Sequence, residues 1–137
     1  ADRLQRAMDA SDRLRDLLLK VTYDAQCQSA LGAACNAEHD ALQRLCKWLL
    51  LLVDRTEGNR LSLTQQEIAD LLGTERTTIN GALQALRDRS AIEASRGRLE
   101  IRDHAVLERL SCECYRTQRE WTQSLGLPVE PPISGPT

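Results

Sequence analysis

The fold of this chain is decided by residues 63–84, which read LTQQEIADLLGTERTTINGALQ. Thr64 and Glu67 have the spacing of a capping box, in which each side chain accepts a hydrogen bond from the other residue's backbone N–H at the start of a helix. Gly73 is expected to end that helix, because glycine readily adopts the positive φ of a tight turn. This stretch therefore predicts a short helix, a sharp turn and a second helix.

The second helix is expected to run from an N-cap at Thr74 to about Arg89. Ala69 in the first helix and Ile79 in the second stand four residues before and six residues after the turn glycine. A small residue, a glycine and a β-branched residue at these offsets are typical of two helices that cross closely. One apolar stripe supports the second helix; it consists of Ile79, Ala82, Leu83 and Leu86. Together these features predict a helix-turn-helix.

Downstream of the second helix, the hydrophobic period changes from helical spacing to two. Residues 92–94 and 98–101 alternate around Arg96-Gly97, which predicts a small β-hairpin. Asp103 is expected to cap one last helix that continues to Leu125. Its apolar stripe comprises Val106, Leu107, Leu110, Cys114, Trp121 and Leu125. A hairpin placed directly after a helix-turn-helix predicts a winged helix.

Upstream, residues 1–30 contain neither proline nor glycine. Their heptad positions a and d recur every 3.5 residues on average and form a narrow, mainly apolar stripe, which we call the seam. The seam has Leu4, Ser11, Leu18 and Ala25 at heptad position a, and Ala7, Leu14, Val21 and Gln28 at position d. Because the flanking positions are charged, we expect a coiled-coil helix that pairs with a second copy of the chain. The expected contacts are Leu4, Ala7, Leu14, Leu18 and Val21. Packing of this helix on its own domain is the alternative.

The predicted fold class is mainly α: a winged helix-turn-helix with a small β-hairpin, preceded by a long dimerisation helix. Gly32 and Asn36 are expected to break the chain between that helix and a next one over residues 38–56. The expected domains are a dimerisation helix (1–33), a winged helix-turn-helix domain (34–125) and a flexible tail (126–137), which holds all four prolines. Aromatic residues make up only 3% of the chain, so the core must be aliphatic.

The composition of the chain limits its possible partners and its cellular compartment. The net charge is −2 and the pI is about 5.7, so any nucleic-acid surface must be a local patch rather than a global excess of positive charge. The longest apolar run covers residues 48–53, far short of the roughly 20 residues that cross a bilayer, so no membrane partner is expected. The cysteines number five and lack the spacing of a disulfide framework, which predicts a reducing cytoplasm.

The helix-turn-helix predicts double-stranded DNA as the partner, because its second helix fits the major groove and turns its N-terminal residues to the base edges. We expect base contacts from Arg76, Thr77, Asn80 and Gln84. Phosphate contacts are expected from Thr64, Gln66, Thr74, Thr78, Ser95, Arg96 and Arg98. A homodimer would then bind a near-palindromic operator. The acidic pI favours the alternative, a winged helix that contacts another protein.

Residues 63–73, 76–79 and 96–103 resemble the C-terminal half of the Crp/Fnr family of bacterial transcription regulators. The resemblance covers roughly residues 30–115 and implies a sequence-specific DNA-binding regulator, with RNA polymerase as a further candidate partner. In that family the half follows an N-terminal sensor barrel. These 137 residues contain no such barrel, so we expect a fragment or a form without its sensor.

The resemblance is incomplete on the second helix of the motif. The family's usual Arg-Glu-Thr-Val, followed by a second Arg, is here Arg76-Thr77-Thr78-Ile79, with Gly81 at the place of that second Arg. The arginine that reads guanine is thus kept. The glutamate that would accept from cytosine is replaced, which predicts an altered operator.

Other chemistry is expected to be absent. Cys112 and Cys114 are two residues apart, and on a helix such side chains point in different directions. We therefore expect buried or idle thiols and neither metal nor cofactor. His39, between Glu38 and Asp40, faintly resembles a phosphoacceptor histidine; that alternative predicts an antiparallel four-helix bundle without a hairpin. The chain has no recognisable catalytic set, so an enzyme is not expected.

Overall fold

The computed structural model describes residues 2–56 and 58–127, so most of the predicted tail (128–137) lies outside the described residues. The elements in chain order are α1 (Asp2–Ala10), α2 (Asp12–Glu38), α3 (Ala41–Val53), β1 (Arg60–Leu61), α4 (Gln65–Leu72), α5 (Arg76–Asp88), β2 (Ile92–Ser95), β3 (Arg98–Ile101), α6 (His104–Leu110) and α7 (Cys114–Ser124). The fold is mainly helical with a small antiparallel sheet, as the sequence predicts. We call α1 and α2 together the helical arm.

The predicted N-terminal helix is interrupted once, at Ser11. The Ser11 hydroxyl accepts a hydrogen bond from the backbone N–H of Leu14 at 3.3 Å and thereby caps the start of α2. Serine is among the best N-cap residues, because its short side chain reaches the free N–H groups of the first turn. A seam residue at heptad position a thus acts as a helix start.

The predicted break at Gly32 and Asn36 is wrong, because α2 continues through both residues to Glu38. A single glycine inside a helix costs only about 1 kcal/mol, which neighbouring contacts can outweigh. The turn lies instead at His39 and Asp40. Asp40 forms a capping box with Gln43, so that α3 begins at Ala41 rather than at Glu38.

The hydrophobic core lies between α3, α4, α5, α6 and the sheet. It is aliphatic, as the low aromatic content predicts, and Tyr115 is the one aromatic side chain among its described buried members. The largest fully buried apolar side chains are Leu45, Leu49, Leu50, Val53, Ile68, Ile79, Leu83, Leu86, Ile101 and Leu107. Ile79 points from α5 into this core, which confirms its predicted place at the helix crossing.

The helix-turn-helix is formed by α4 and α5. Thr64 and Glu67 make the predicted capping box, and Gly73 has a φ of +60°, the left-handed conformation expected of it. The predicted N-cap Thr74 is wrong by one residue: α5 begins after Glu75, whose side chain makes no capping bond. The N–H of Thr74 instead bonds the carbonyl of Ala69 at 3.0 Å and closes the preceding turn.

The sheet has the strand order β1-β3-β2 and is antiparallel throughout. The predicted hairpin is confirmed: Ser95 pairs with Arg98, and Gly97 between them has a φ of +73°. Strand β1 was not predicted, because two residues are too few to show an alternating pattern. It pairs with β3 and anchors the hairpin to the domain.

The predicted single C-terminal helix is wrong, although Asp103 does cap its start by accepting from the N–H of Val106 at 3.1 Å. α6 ends at Leu110, and Ser111 adopts an extended conformation before α7 begins at Cys114. The helix direction therefore changes, and the predicted stripe does not continue across the break. Trp121 is 39% exposed.

Among the described residues, the helical arm packs on the rest of the chain mainly through the second half of α2, from about Asp24 onward, where α2 lies against α7. Asp24 is buried there and accepts a hydrogen bond from the Thr122 hydroxyl at 2.9 Å. Farther toward the N-terminus, apolar side chains are exposed, among them Leu4 (55%), Leu19 (62%) and Val21 (47%). No helix in the described part of the chain is long and apolar enough to cross a lipid bilayer.

Candidate nucleic-acid interface

A groove of about 530 Å³ runs between the start of α4, one flank of α5 and the hairpin. We call it the wing groove. Six of the residues predicted to contact DNA line it: Thr64, Gln66, Arg76, Ser95, Arg96 and Arg98. They come from two helices and one hairpin that are separated along the chain. The fold thus collects most of the predicted contact residues on one face.

Three arginines of the wing groove have no side-chain partner among the described residues. Arg76, Arg96 and Arg98 are exposed, and within residues 2–56 and 58–127 the structure gives them neither an ion pair nor a side-chain hydrogen bond. Elsewhere on the sheet, arginines are neutralised: Arg60 lies 3.4 Å from Glu100, and Arg102 pairs with both Glu93 and Glu100. Positive charge is therefore concentrated at the hairpin tip and the start of α5. This local patch is compatible with the net charge of −2.

The most outward line of α5 is formed by Thr77, Gly81 and Gln84, which lie opposite its buried stripe. Gln84 is held by its own helix: its amide donates to Asp88 at 2.7 Å, and its carbonyl accepts from Arg87 at 2.9 Å. A base contact from Gln84 would require breaking these bonds. Gly81 has open space around the position of a Cβ, so nothing in the chain itself requires a glycine there.

Asn80 is less outward than predicted. It is half-buried, and its side-chain oxygen is enclosed without a hydrogen-bond partner in the described structure. It lies one turn after Arg76, on the flank rather than on the outermost line of α5. A buried acceptor without a partner is costly, and a donor brought by a ligand would satisfy it.

The predicted phosphate contacts on α4 are already engaged. The Thr64 hydroxyl donates to the carboxylate of Glu67 at 2.8 Å, and the Gln66 amide donates to Asp70 at 2.8 Å. The backbone N–H of Thr64 and then its hydroxyl stabilise the Glu67 carboxylate and lower the pKa of that group. Two further predicted contacts lie outside the groove: Thr78 is exposed on α5, and Thr74 is in the turn.

Arg87 also lines the wing groove and was missed by the sequence interpretation. It stands eleven residues, or about three helical turns, after Arg76, and so lies on the same flank of α5. The spacing of these two arginines was therefore a usable signal.

A second group of reactive side chains lies outside the wing groove. Cys35, His39, Cys112 and Cys114 come together where α2 ends and where α6 gives way to α7. The expectation that Cys112 and Cys114 diverge is wrong, because Cys112 precedes α7 and only Cys114 is helical. The phosphorelay alternative for His39 is also contradicted, because the chain has the hairpin that it excludes.

Residues 43–110 match the family described as the Crp-like helix-turn-helix domain. No curated protein matches the chain significantly. Several solved structures share its fold, and two of them are described as transcriptional regulators.

A CRP-family transcriptional regulator from Thermus thermophilus is 24% identical, with a TM-score of 0.55 over 63% of this chain and 47% of that one. A regulator of the crp/fnr family from Eubacterium rectale is 22% identical, with a TM-score of 0.63 over 80% of this chain and 51% of that one. FixK2 from Bradyrhizobium japonicum is 18% identical, with a TM-score of 0.65 over 81% of this chain and 58% of that one. The chain thus spans about half the length of these proteins.

Proposed function

This chain carries the Crp-like helix-turn-helix domain of the Crp/Fnr family at residues 43–110, and from that premise we propose that it binds double-stranded DNA as part of a transcription regulator. The observation that carries the proposal is the wing groove, which Arg76 of α5 and Arg96 and Arg98 of the hairpin line together, each without a side-chain partner in the described part of the chain. In this arrangement α5 enters the major groove, and the hairpin lies along the sugar-phosphate backbone.

Arg76 is the proposed base reader. It stands in the first turn of α5, the part of a recognition helix that reaches deepest into the major groove. Its planar guanidinium can donate two hydrogen bonds to the O6 and N7 atoms of a guanine. Thr77 and Gly81 provide little base discrimination beside it. We therefore expect one strongly selected guanine in each half of the operator.

The experiment for Arg76 is a selection of bound sequences from random DNA with wild type, Arg76→Ala and Arg76→Lys. Arg76→Ala should cost about 1–3 kcal/mol of binding free energy and relax the preference at one base pair per half-site. Arg76→Lys should restore charge without restoring that preference. Arg60→Ala is the matched control, because Arg60 is paired with Glu100 and does not line the wing groove. An unchanged motif for Arg76→Ala would refute the assignment.

Arg96 and Arg98 are proposed to contact phosphates, since they lie at the hairpin tip without partners of their own in the described structure. Arg96→Ala should weaken binding to all DNA sequences alike and reduce the slope of log K against log salt by about one. Titrations of one specific and one random duplex at several salt concentrations measure both quantities. A changed sequence preference at an unchanged salt slope would contradict the assignment.

The helical arm is proposed to pair two copies of the chain. Its exposed Leu4 and Val21, together with the half-buried Leu14 and Leu18, form a seam that nothing in the described part of the same chain covers fully. A two-fold dimer would present two α5 helices to successive major grooves about 34 Å apart, on a near-palindromic operator.

Sedimentation of the chain at micromolar concentration tests the dimer. The wild type should sediment at twice the chain mass of 15.4 kDa. Replacing both Leu14 and Leu18 with Ala should weaken the dimer by a few kcal/mol, because each loses buried apolar volume at the interface. Leu19→Ala is the control, since Leu19 is outside the seam. A wild type that remains monomeric would overturn the pairing while leaving the DNA contacts to be judged by the selection above.

A further inference from the structure

Four side chains of the types that can hold a metal ion converge at the junction between the helical arm and the winged-helix domain. The ligand atoms of Cys35, His39, Cys112 and Cys114 all lie within 4.8 Å of one another. The Sγ atoms of Cys35 and Cys112 are 3.6 Å apart, and the Sγ atom of Cys114 is 3.8 Å from Nδ1 of His39. We call these four residues the Cys–His cluster.

The backbone explains why residues so far apart in sequence meet. Cys35 lies in the last turn of α2, and His39 caps the end of that helix by donating its backbone N–H to the carbonyl of Cys35 at 3.1 Å. Cys112 lies in the segment between α6 and α7, and Cys114 is the first residue of α7. The break between α6 and α7 therefore lets two cysteines two apart face the same point.

Two of these separations match those of a tetrahedral zinc site. With a zinc–sulfur distance of about 2.3 Å, the ligand atoms at two corners of a tetrahedron lie about 3.8 Å apart. The observed distances of 3.6 and 3.8 Å are close to that value. Three thiols and one imidazole are also the donors of a common structural zinc site, and their softness disfavours magnesium or calcium.

The surroundings of the cluster match a closed structural site. The cysteines of the cluster are all buried, and Leu31 packs against them. His39 directs its Nε2 atom to the carboxylate of Glu113 at 3.2 Å. A carboxylate on the far nitrogen of a ligating imidazole fixes the ring's tautomer and orientation, leaving Nδ1 free for the metal. Nδ1 is the atom that faces Cys114.

We propose that this chain binds one zinc ion through Cys35, His39, Cys112 and Cys114. On binding, each of the three thiols loses its proton to solvent, and the sulfurs and Nδ1 complete a tetrahedron. Two ligands come from the end of α2, and two come from the start of α7 and the residues before it. The ion therefore ties the helical arm to the winged-helix domain and holds the direction in which the arm leaves it.

The test is the metal content of the 137-residue chain, purified with its thiols reduced and exposed to zinc alone, then passed through a desalting column. We expect about one zinc per chain for wild type, and a loss of stoichiometric zinc for Cys114→Ser and for His39→Ala. Cys27→Ser is the matched control, because Cys27 is on α2 but outside the cluster and should leave the zinc content unchanged. An equal loss with Cys27→Ser would overturn the assignment of the ligands.

A measurement on wild type alone covers the case in which a cluster variant does not fold. Cobalt(II) added to the zinc-free chain should give the intense near-ultraviolet absorption of thiolate-bound cobalt together with the visible bands of a tetrahedral site, and zinc should abolish both. Removal of zinc by a chelator should lower the Tm, because the ion binds only the folded chain. Absence of a cobalt spectrum and of stoichiometric zinc in the folded, reduced wild type would overturn the proposal.

A disulfide between Cys35 and Cys112 is the competing use of these thiols. It is distinguished by counting free thiols after denaturation without reductant. A zinc site predicts all five cysteines free, whereas the disulfide leaves three. Three free thiols per chain, together with a failure of the reduced protein to take up zinc, would overturn the proposal in favour of a redox-active pair. Neither result depends on DNA binding, so this proposal and the proposed function fail separately.

Discussion

The winged-helix domain and the helical arm use similar aliphatic residues with opposite results. In the domain, Leu49 of α3 and Ile79 of α5 are fully buried in one shared core. On the arm, leucines remain exposed, and its only buried residues in the described structure are Asp24 and Cys35. An apolar stripe stabilises a fold only where a second element of the same chain lies opposite it. The domain supplies that second element, and the arm does not.

The arm is joined to the rest of the chain by polar groups instead. Asp24 bonds Thr122 of α7, and Cys35 stands in the Cys–His cluster. Hydrogen bonds and metal ligands are directional, whereas apolar burial is not. We therefore expect the junction to set the direction of the arm and the domain core to supply most of the stability.

The largest loss of stability should come from a cavity-forming substitution in the domain core. Ile79→Ala removes a fully buried side chain at the crossing of α4 and α5 and should lower the free energy of unfolding by about 2–5 kcal/mol. Leu19→Ala, at a residue that is 62% exposed, should change it by less than about 0.5 kcal/mol. Urea unfolding followed by circular dichroism measures both. Equal losses of unfolding free energy would mean that the arm's leucines are buried in solution, as those of the domain are.

A smaller effect is expected at the junction. Asp24→Ala removes the acceptor of the Thr122 hydroxyl and of the Gln28 amide, and should cost about 1–3 kcal/mol. Asp16→Ala is the control on the same helix, since Asp16 is an exposed partner of Lys20 and should cost less than about 0.5 kcal/mol. Amide hydrogen exchange in α2 and α7 should speed up only for Asp24→Ala. Unchanged exchange there would show that this contact does not hold the arm.

Within the domain, Thr64→Ala removes the capping box of α4 and should lower the free energy of unfolding by about 1 kcal/mol. Its pH dependence has a definite sign. The folded pKa of Glu67 is lowered, so the box is fully stabilising above the ordinary glutamate pKa of 4.5 and loses its effect as the pH falls through the folded value. Urea midpoints of wild type and Thr64→Ala should therefore converge on acidification. Thr78→Ala, at an exposed helical position, is the control: its urea midpoint should differ from that of wild type by a small amount that does not change with pH.

The smallest changes in stability are expected at two glycines of the helix-turn-helix, and they should have opposite signs. A Cβ at Gly81 meets nothing within 4 Å, so Gly81→Ala should stabilise α5 by about 0.5–1 kcal/mol through helix propensity. Gly73→Ala should instead destabilise the chain by about 1 kcal/mol, because the φ of +60° disfavours a side chain. Thermal unfolding of both variants gives the two signs. A destabilising Gly81→Ala would indicate that the arm or another copy approaches α5 in solution.

Elements with a strong local signal were predicted well. The Thr64–Glu67 box, the Gly73 turn and the hairpin around Gly97 each follow from the chemistry of two to four neighbouring residues. The errors lie where short-range signals compete. Ser11 caps a helix inside an apparent heptad seam, and Gly32 remains helical because its neighbours favour the helix.

The amino-acid sequence by itself determined the winged helix-turn-helix and most of the polar residues around its second helix, because helix caps, glycine turns and periodicity are local properties of the chain. Tertiary structure alone decided which distant residues meet. It brought Cys35 and Cys112, 77 residues apart, to within 3.6 Å. That meeting depends on where α6 ends and how α2 packs on α7, which are long-range consequences of core packing that no local pattern encodes.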